Sequence, residues 1–304
     1  MKTLVLLFTL LSTQAFAGAD CEGVCGKEIA TELNSPLLEA LNNITNFSGE
    51  GFPETMANDP RLVRSKSSPK WLAAVGRLVS NTSATKKEQC SLSIIADAPG
   101  KDGIIAVTAG HCVDHWVDGN GGFEVGHNET TFKTNSGKTI KRSISKVLKA
   151  ETHKGDYAIV KLNAPIKYSD IKPLLNAPYD YYDLLDKDLD EANTNPYATM
   201  AGYSADRTKG QKGKVLTYHE KCQLNGGASG MKKGYCTSYQ GASGGAVVVT
   251  ATVGDMADET WQETEQSYFV GSIVGGRAGD DNDKTMFTDT SYYSKTLDKI
   301  LADH

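Results

Sequence analysis

Past residue 17 the 304-residue chain has no apolar run approaching the roughly 18 residues that a membrane-crossing helix needs. The remainder is therefore expected to be soluble. A dense basic arm is missing too. The 32 Lys and Arg are set against 37 Asp and Glu, for a formal charge of -5, with both signs mixed along the chain. Neither a nucleic-acid-binding arm nor a basic membrane-surface helix is expected from that pattern. The chain shows no internal repeat, and no sustained helical period before its last dozen residues.

What is present begins with Lys2, the apolar run Leu4 to Leu11, and Ala15-Phe16-Ala17. A charged start, a short apolar stretch and an A-x-A site read as a secretory signal spanning 1–17. An exported protein, extracellular or periplasmic, is expected to pair its cysteines. Six cysteines allow fifteen pairings. Neighbourhood favours Cys90 with Cys112 and Cys222 with Cys236, leaving Cys21 with Cys25 across a very short loop. Residues 18–65 are Asn-rich and Pro-spotted, and they run into Arg61-Leu62-Val63-Arg64-Ser65-Lys66-Ser67-Ser68. They read as a propeptide or N-terminal extension, with that basic, Ser-rich stretch as an exposed cutting site.

From Trp71 short apolar segments alternate with turns. Strands are expected at Leu72–Leu78, Leu92–Ile95, Ile104–Thr108, Ile140–Val147, Tyr157–Leu162, Ala198–Gly202, Val215–His219, Ala246–Val249, Tyr268–Val274 and Thr285–Thr288. This spacing argues for an all-β barrel or sandwich. Residues 66–304 suffice for two small barrels. Ser291–Leu301 places Leu297, Ile300 and Leu301 on one face, as a C-terminal helix would.

Three loops at strand ends carry chemistry. Tyr239-Gln240-Gly241-Ala242-Ser243-Gly244-Gly245-Ala246 is a small-residue turn opening into Val247-Val248-Val249. A serine there can attack a carbonyl while the amides of Gly241 and Ser243 face the developing oxyanion. Val107-Thr108-Ala109-Gly110-His111-Cys112 sets an imidazole at the end of an apolar strand, where it can act as base and then acid. Gly155-Asp156 stands immediately before Tyr157-Ala158-Ile159-Val160, where a carboxylate can hold an imidazole in one tautomer. The bland alternatives are a hairpin turn, a structural histidine and a surface aspartate.

Taken together, in the order His, Asp, Ser, these blocks resemble the three signature motifs of chymotrypsin-fold serine proteases, from about Trp71 to the C-terminus. The resemblance implies two six-stranded antiparallel β-barrels with the active site between them. It implies a triad of His111, Asp156 and Ser243, an oxyanion hole at Gly241 and Ser243, and protein or peptide substrates cut by a monomer without a cofactor. Ala201-Gly202-Tyr203 and Cys236-Thr237-Ser238 resemble features of the bacterial glutamyl-endopeptidase-like branch. Substrate is expected to meet Thr237 and Ser238 at the primary pocket, and Val274, Gly275 and Gly276 as an added strand.

The chain also departs from the family. Ala242 stands where the trypsin subgroup has the aspartate that receives a new N-terminal ammonium, so that switch is lost. Thr237 at the pocket floor supplies no counter-charge for Arg or Lys. No histidine lies in 268–276 to receive a glutamate, so uncharged side chains are expected in the pocket. A catalytically silent binding or adhesion module on the same fold is the competing function. Several look-alikes fall away on inspection. Gly227-Ala228-Ser229-Gly230 is followed by Met231-Lys232-Lys233 instead of a glycine and a valine strand that would present a nucleophile. His111 and His115 lack further metal ligands, and Asp186, Asp188 and Asp190 lack the glycine of a calcium loop. Asp280, Asp281 and Asp283 read as a solvated turn. No metal is therefore expected. The sequons at Asn43, Asn46, Asn81 and Asn128 matter only in a glycosylating pathway.

Overall fold

The alternating apolar segments form antiparallel strands that close on themselves twice. The computed structural model describes residues 58–83, 86–118, 121–152, 154–177, 196–225, 230–257, 260–276 and 285–304. The signal, Cys21, Cys25, most of 18–65, both acidic loops and residues 227–229 lie outside the described residues. A two-residue strand β1 (Leu62–Val63) comes first, then β2 (Val75–Asn81), β3 (Lys87–Ala96), β4 (Gly103–Thr108), β5 (Asn128–Lys133), β6 (Thr139–Arg142), β7 (Ile144–Glu151) and β8 (Tyr157–Ile166). β2 pairs with β3 and β5, β3 with β4, β4 with β8, β8 with β7, and β5 with β6. Only Ser143 separates β6 from β7, so the two act as one broken strand and complete a six-stranded circuit. The break is bridged by Asn128, whose side chain accepts from Ile144 N at 2.7 Å and donates to Ile144 O at 3.1 Å. That sequon is therefore built into the barrel wall.

The second circuit uses β10 (Tyr197–Gly202), β11 (Thr217–Cys222), β12 (Leu224–Asn225), β13 (Met231–Gly234), β14 (Ala246–Ala257), β15 (Thr260–Gly276) and β16 (Thr285–Asp289). Its ladder runs β11–β10–β14–β15–β16–β13–β12, and Gln223 alone separates β12 from β11. β9 (Leu174–Asn176) joins the barrels by pairing in parallel with both β3 and β15. The fold is the all-β two-barrel fold, with one C-terminal α-helix, α1 (Ser294–Ala302), among the described residues.

Both barrels are filled by their inward side chains. Leu78, Leu92, Ile94, Ile105, Phe132 and Ile159 are buried in the first, and each such burial contributes about 1.5–3 kcal/mol. α1 turns Leu297 and Leu301 into this same cluster, together with Tyr293. The second cluster is built around Met200, Val247, Val249, Val270, Ile273 and Phe287. Bonds link Cys90 to Cys112 and Cys222 to Cys236.

The structure departs from expectation in a few places. Residues 70–74 form a 3-10 turn before β2, because Leu72 N bonds back to Pro69 O. β5 went unpredicted because Asn-Glu-Thr-Thr-Phe-Lys contains one large apolar residue, Phe132, although Thr130 is buried as well. β13, Met-Lys-Lys-Gly, is held by pairing with β16 rather than by an apolar face. Residues 58–65, grouped by composition with the N-terminal extension, lie on the second barrel: β1 pairs with β11 through Leu62↔Tyr218 and Val63↔Thr217.

Candidate active site

β4 ends at Thr108, and the chain turns at once into a 3-10 turn, Gly110–Cys112, which carries His111. Cys112 ties this turn back to β3. Asp156 stands just ahead of β8 with φ +42°, in the left-handed region that aspartate tolerates better than most residues. The Thr288 hydroxyl, from β16, donates to the carbonyl of Gly155 and helps hold this loop. Tyr157 stacks on Tyr293 at 4.3 Å, so the C-terminal segment braces the same corner.

His111 and Asp156 meet twice. The His111 amide donates to Asp156 Oδ1 at 2.7 Å, and His111 Nδ1 lies 2.8 Å from Asp156 Oδ2. A carboxylate accepts only, so Nδ1 carries the proton in this pair and Nε2 is left as the acceptor. Both side chains are buried, and Nε2 has no hydrogen-bond partner among the described residues. Burial opposes protonation of His111. The charge and hydrogen bond of Asp156, with Glu88 and Asp114 behind them, outweigh it and raise the imidazole above its ordinary value. Gly110 permits the approach, since a Cβ there would lie 2.2 Å from Glu151 O and 3.0 Å from Asp156 Oδ1.

Ser243 belongs to the second barrel but is fastened by the first. Ser91, on β3, donates from its amide to Ser243 O at 2.7 Å and from its hydroxyl to Gly241 O at 2.8 Å. The same hydroxyl accepts from Tyr203 N at 2.8 Å, and Ser91 O accepts from Thr108 Oγ1 at 2.7 Å. Gly244 has φ +81°, and a Cβ there would sit 2.1 Å from both Ser91 O and Thr108 Oγ1. Only glycine fits that crossing. The amides of Gly241 and Ser243 donate to no group among the described residues. Ser243 Oγ donates to Val274 O at 3.0 Å, and not to His111 Nε2. Catalytic hydrogen bonds are often unmade in unliganded enzymes and form as substrate arrives.

The expected pocket residues also come together. Ser238 Oγ pairs with Thr285 Oγ1 at 2.9 Å, and Thr285 Oγ1 donates to Cys236 O. Thr237 Oγ1 is buried without a hydrogen-bond partner among the described residues, while Thr237 N donates to His219 Nδ1 at 2.9 Å. Val274 bulges out of the β15–β16 ladder, leaving Gly275 paired with Met286 and Gly276 with Thr285. Two contributions escaped sequence reasoning. Ser91 had only one signal, its place directly after a paired cysteine. His115 lies 3.6 Å from Glu88 Oε2, an acid that burial raises above the usual carboxylate range. Among the described residues, two sets have metal-like spacing, Cys90-His111-Cys112 and His219-Cys222-Cys236. Their cysteines are joined in disulfides and offer no thiolate.

No curated protein matches the chain. The trypsin family model matches residues 70–297, well over half of it. That span contains both barrels, the His111 turn and the Ser243 turn, and by it the chain belongs to the trypsin family of serine peptidases.

Proposed function

We propose that this serine peptidase is a secreted endopeptidase working through Ser243, His111 and Asp156. The observation that carries the reading is the doubly bonded His111–Asp156 pair, which leaves a buried Nε2 without a partner among the described residues. Ser243 Oγ leaves Val274 O, gives its proton to Nε2 and bonds to the scissile carbonyl carbon. The carbonyl oxygen becomes an oxyanion facing the amides of Gly241 and Ser243. His111 then passes the proton to the leaving amine, the peptide C–N bond breaks, and an acyl-enzyme remains. Water repeats the sequence through the same base and frees Ser243. Asp156 holds the ring in place throughout and stabilises the imidazolium.

Thr237, Ser238 and Thr285 offer the primary pocket hydroxyls and no charge, which supports a preference for uncharged side chains. Val274 to Gly276 would pair with substrate backbone as an extra strand. Cys236-Thr237-Ser238 and Gly202-Tyr203 support a place near the glutamyl-endopeptidase-like branch. The segment Lys2–Ala17 supports export.

A peptide-library cleavage profile tests this reading. We expect internal cleavage after uncharged residues, abolished in Ser243→Ala. A matured wild type that cleaves no peptide would favour the silent binding module instead.

A further inference from the structure

Asn58 to Arg64 is woven into the second barrel. Arg61 is 1% exposed and heads the largest fully buried side chains. Its guanidinium donates to Asp206 Oδ2 at 2.8 Å, to Asp59 Oδ2 at 2.6 Å and to Thr217 Oγ1 at 3.3 Å. The same group lies 4.2 Å over the Tyr239 ring. Asp206 is fully buried and also accepts the amides of Thr208 and Gly210. Burial works against its ionisation, but Arg61, the Gly210 amide and the Thr208 hydroxyl hold it below the usual carboxylate range.

Two of the partners of Arg61, Asp206 and Tyr239, back the Ser243 turn. Tyr239 stands four residues before Ser243, and its carbonyl accepts from Ala242 N. Ala205, the neighbour of Asp206, donates its amide to Gln240 O. Lys209 donates to the carbonyls of Asp59 and Arg61, closing over the strap. Arg64 continues to the first barrel, donating to Lys133 O at 2.8 Å and Asn135 Oδ1 at 3.0 Å. Ala242, 1% exposed, offers no carboxylate to a newly cut N-terminus.

We infer that residues 58–64 are a permanent strap of the active enzyme, with Arg61 a positioning residue for the Ser243 turn through Asp206 and Tyr239. Cutting after Arg61 would strand a buried carboxylate, and cutting after Arg64 would also bare the β11 edge. Processing therefore cuts ahead of Asp59, and activity does not depend on a new N-terminal ammonium. The positioning role rests on Ser243 being the nucleophile.

The test uses the full chain, secreted and matured, in two arms. Intact mass and N-terminal sequencing should place the first residue at or before Asp59. A fully active enzyme starting after Arg61 would overturn the strap. In the second arm, Arg61→Met with Asp59→Asn and Asp206→Leu removes all three charges together and leaves no stranded ion. We expect kcat to fall about 10- to 100-fold, with KM changed less than about threefold, as for a slightly displaced nucleophile. Arg61→Lys, which keeps the charge but not the fork, should fall between that variant and wild type. It carries the test alone if the triple variant does not fold. Wild-type kcat in either variant would overturn the positioning role. A wild type that does not turn over would defeat the nucleophile assignment and the positioning role with it, while the N-terminus still decides whether the strap is retained.

Discussion

The two barrels contribute differently to the site. The first presents a finished couple: His111 and Asp156 sit at the ends of neighbouring strands β4 and β8 and are joined by two hydrogen bonds. The second presents a turn whose position is set from outside by Ser91, by Gly244 packed against the first barrel, and by the Asp206–Tyr239 backing. The proposed base is thus locked before substrate arrives, while the proposed nucleophile is held in its loop but rests on Val274 O.

Variants that break this contrast should rank by what they remove. Ser243→Ala and His111→Ala are each expected to abolish nearly all peptide turnover, leaving about 10^3- to 10^4-fold acceleration over water. Asp156→Asn keeps the shape but favours the other tautomer, and should lower kcat about 10^4-fold. Steady-state kinetics on one peptide substrate checks all three. Near-normal turnover in any of them would remove that residue from the mechanism.

Next in size is the inter-barrel crossing. Gly244→Ala forces a Cβ against Ser91 O at 2.1 Å and should destabilise by about 1–3 kcal/mol, with activity lost as the turn shifts. Ser91→Ala leaves Gly241 O and Tyr203 N without their hydroxyl, at about 1–3 kcal/mol in chemical denaturation. It should also lower kcat, while any loss of activity from the Asp156 side would come without a change at the Ser243 turn.

The smallest expected effect is on pH dependence. Only the neutral imidazole accepts a proton, and His111 titrates above its ordinary value. Activity should therefore fall as pH drops through that raised value. Glu88→Gln removes one of the charges that favour the imidazolium, so the acid limb of kcat/KM should move to lower pH. An unmoved limb would show that Glu88 does not act on His111.

Sequence reading went far where chemistry is local. The apolar strands from Ile104 to Thr108 and from Tyr157 onward could be read because strands buried against a core are written in Val, Ile and Leu. The C-terminal helix could be read from Leu297 and Leu301. Strand β5 could not, because its pairing with β2 and β6 compensates for a polar sequence. Nor could the roles of Ser91 and Arg61. The partners that tie them to the Ser243 turn, Gly241 and Asp206, lie more than 100 residues away, and Arg61 sits in a stretch whose composition suggests an exposed linker. A basic residue is normally exposed, and here Asp59, the buried Asp206 and the Tyr239 ring reverse that expectation.

One measurement tests most directly whether the locked base activates the serine of the other barrel. Matured protein is treated with a fluorophosphonate and the adduct is located by peptide mass mapping. The account predicts a single adduct on Ser243, formed far more slowly in His111→Ala and Asp156→Asn. An adduct on another residue, or equal labelling rates in all three proteins, would contradict it.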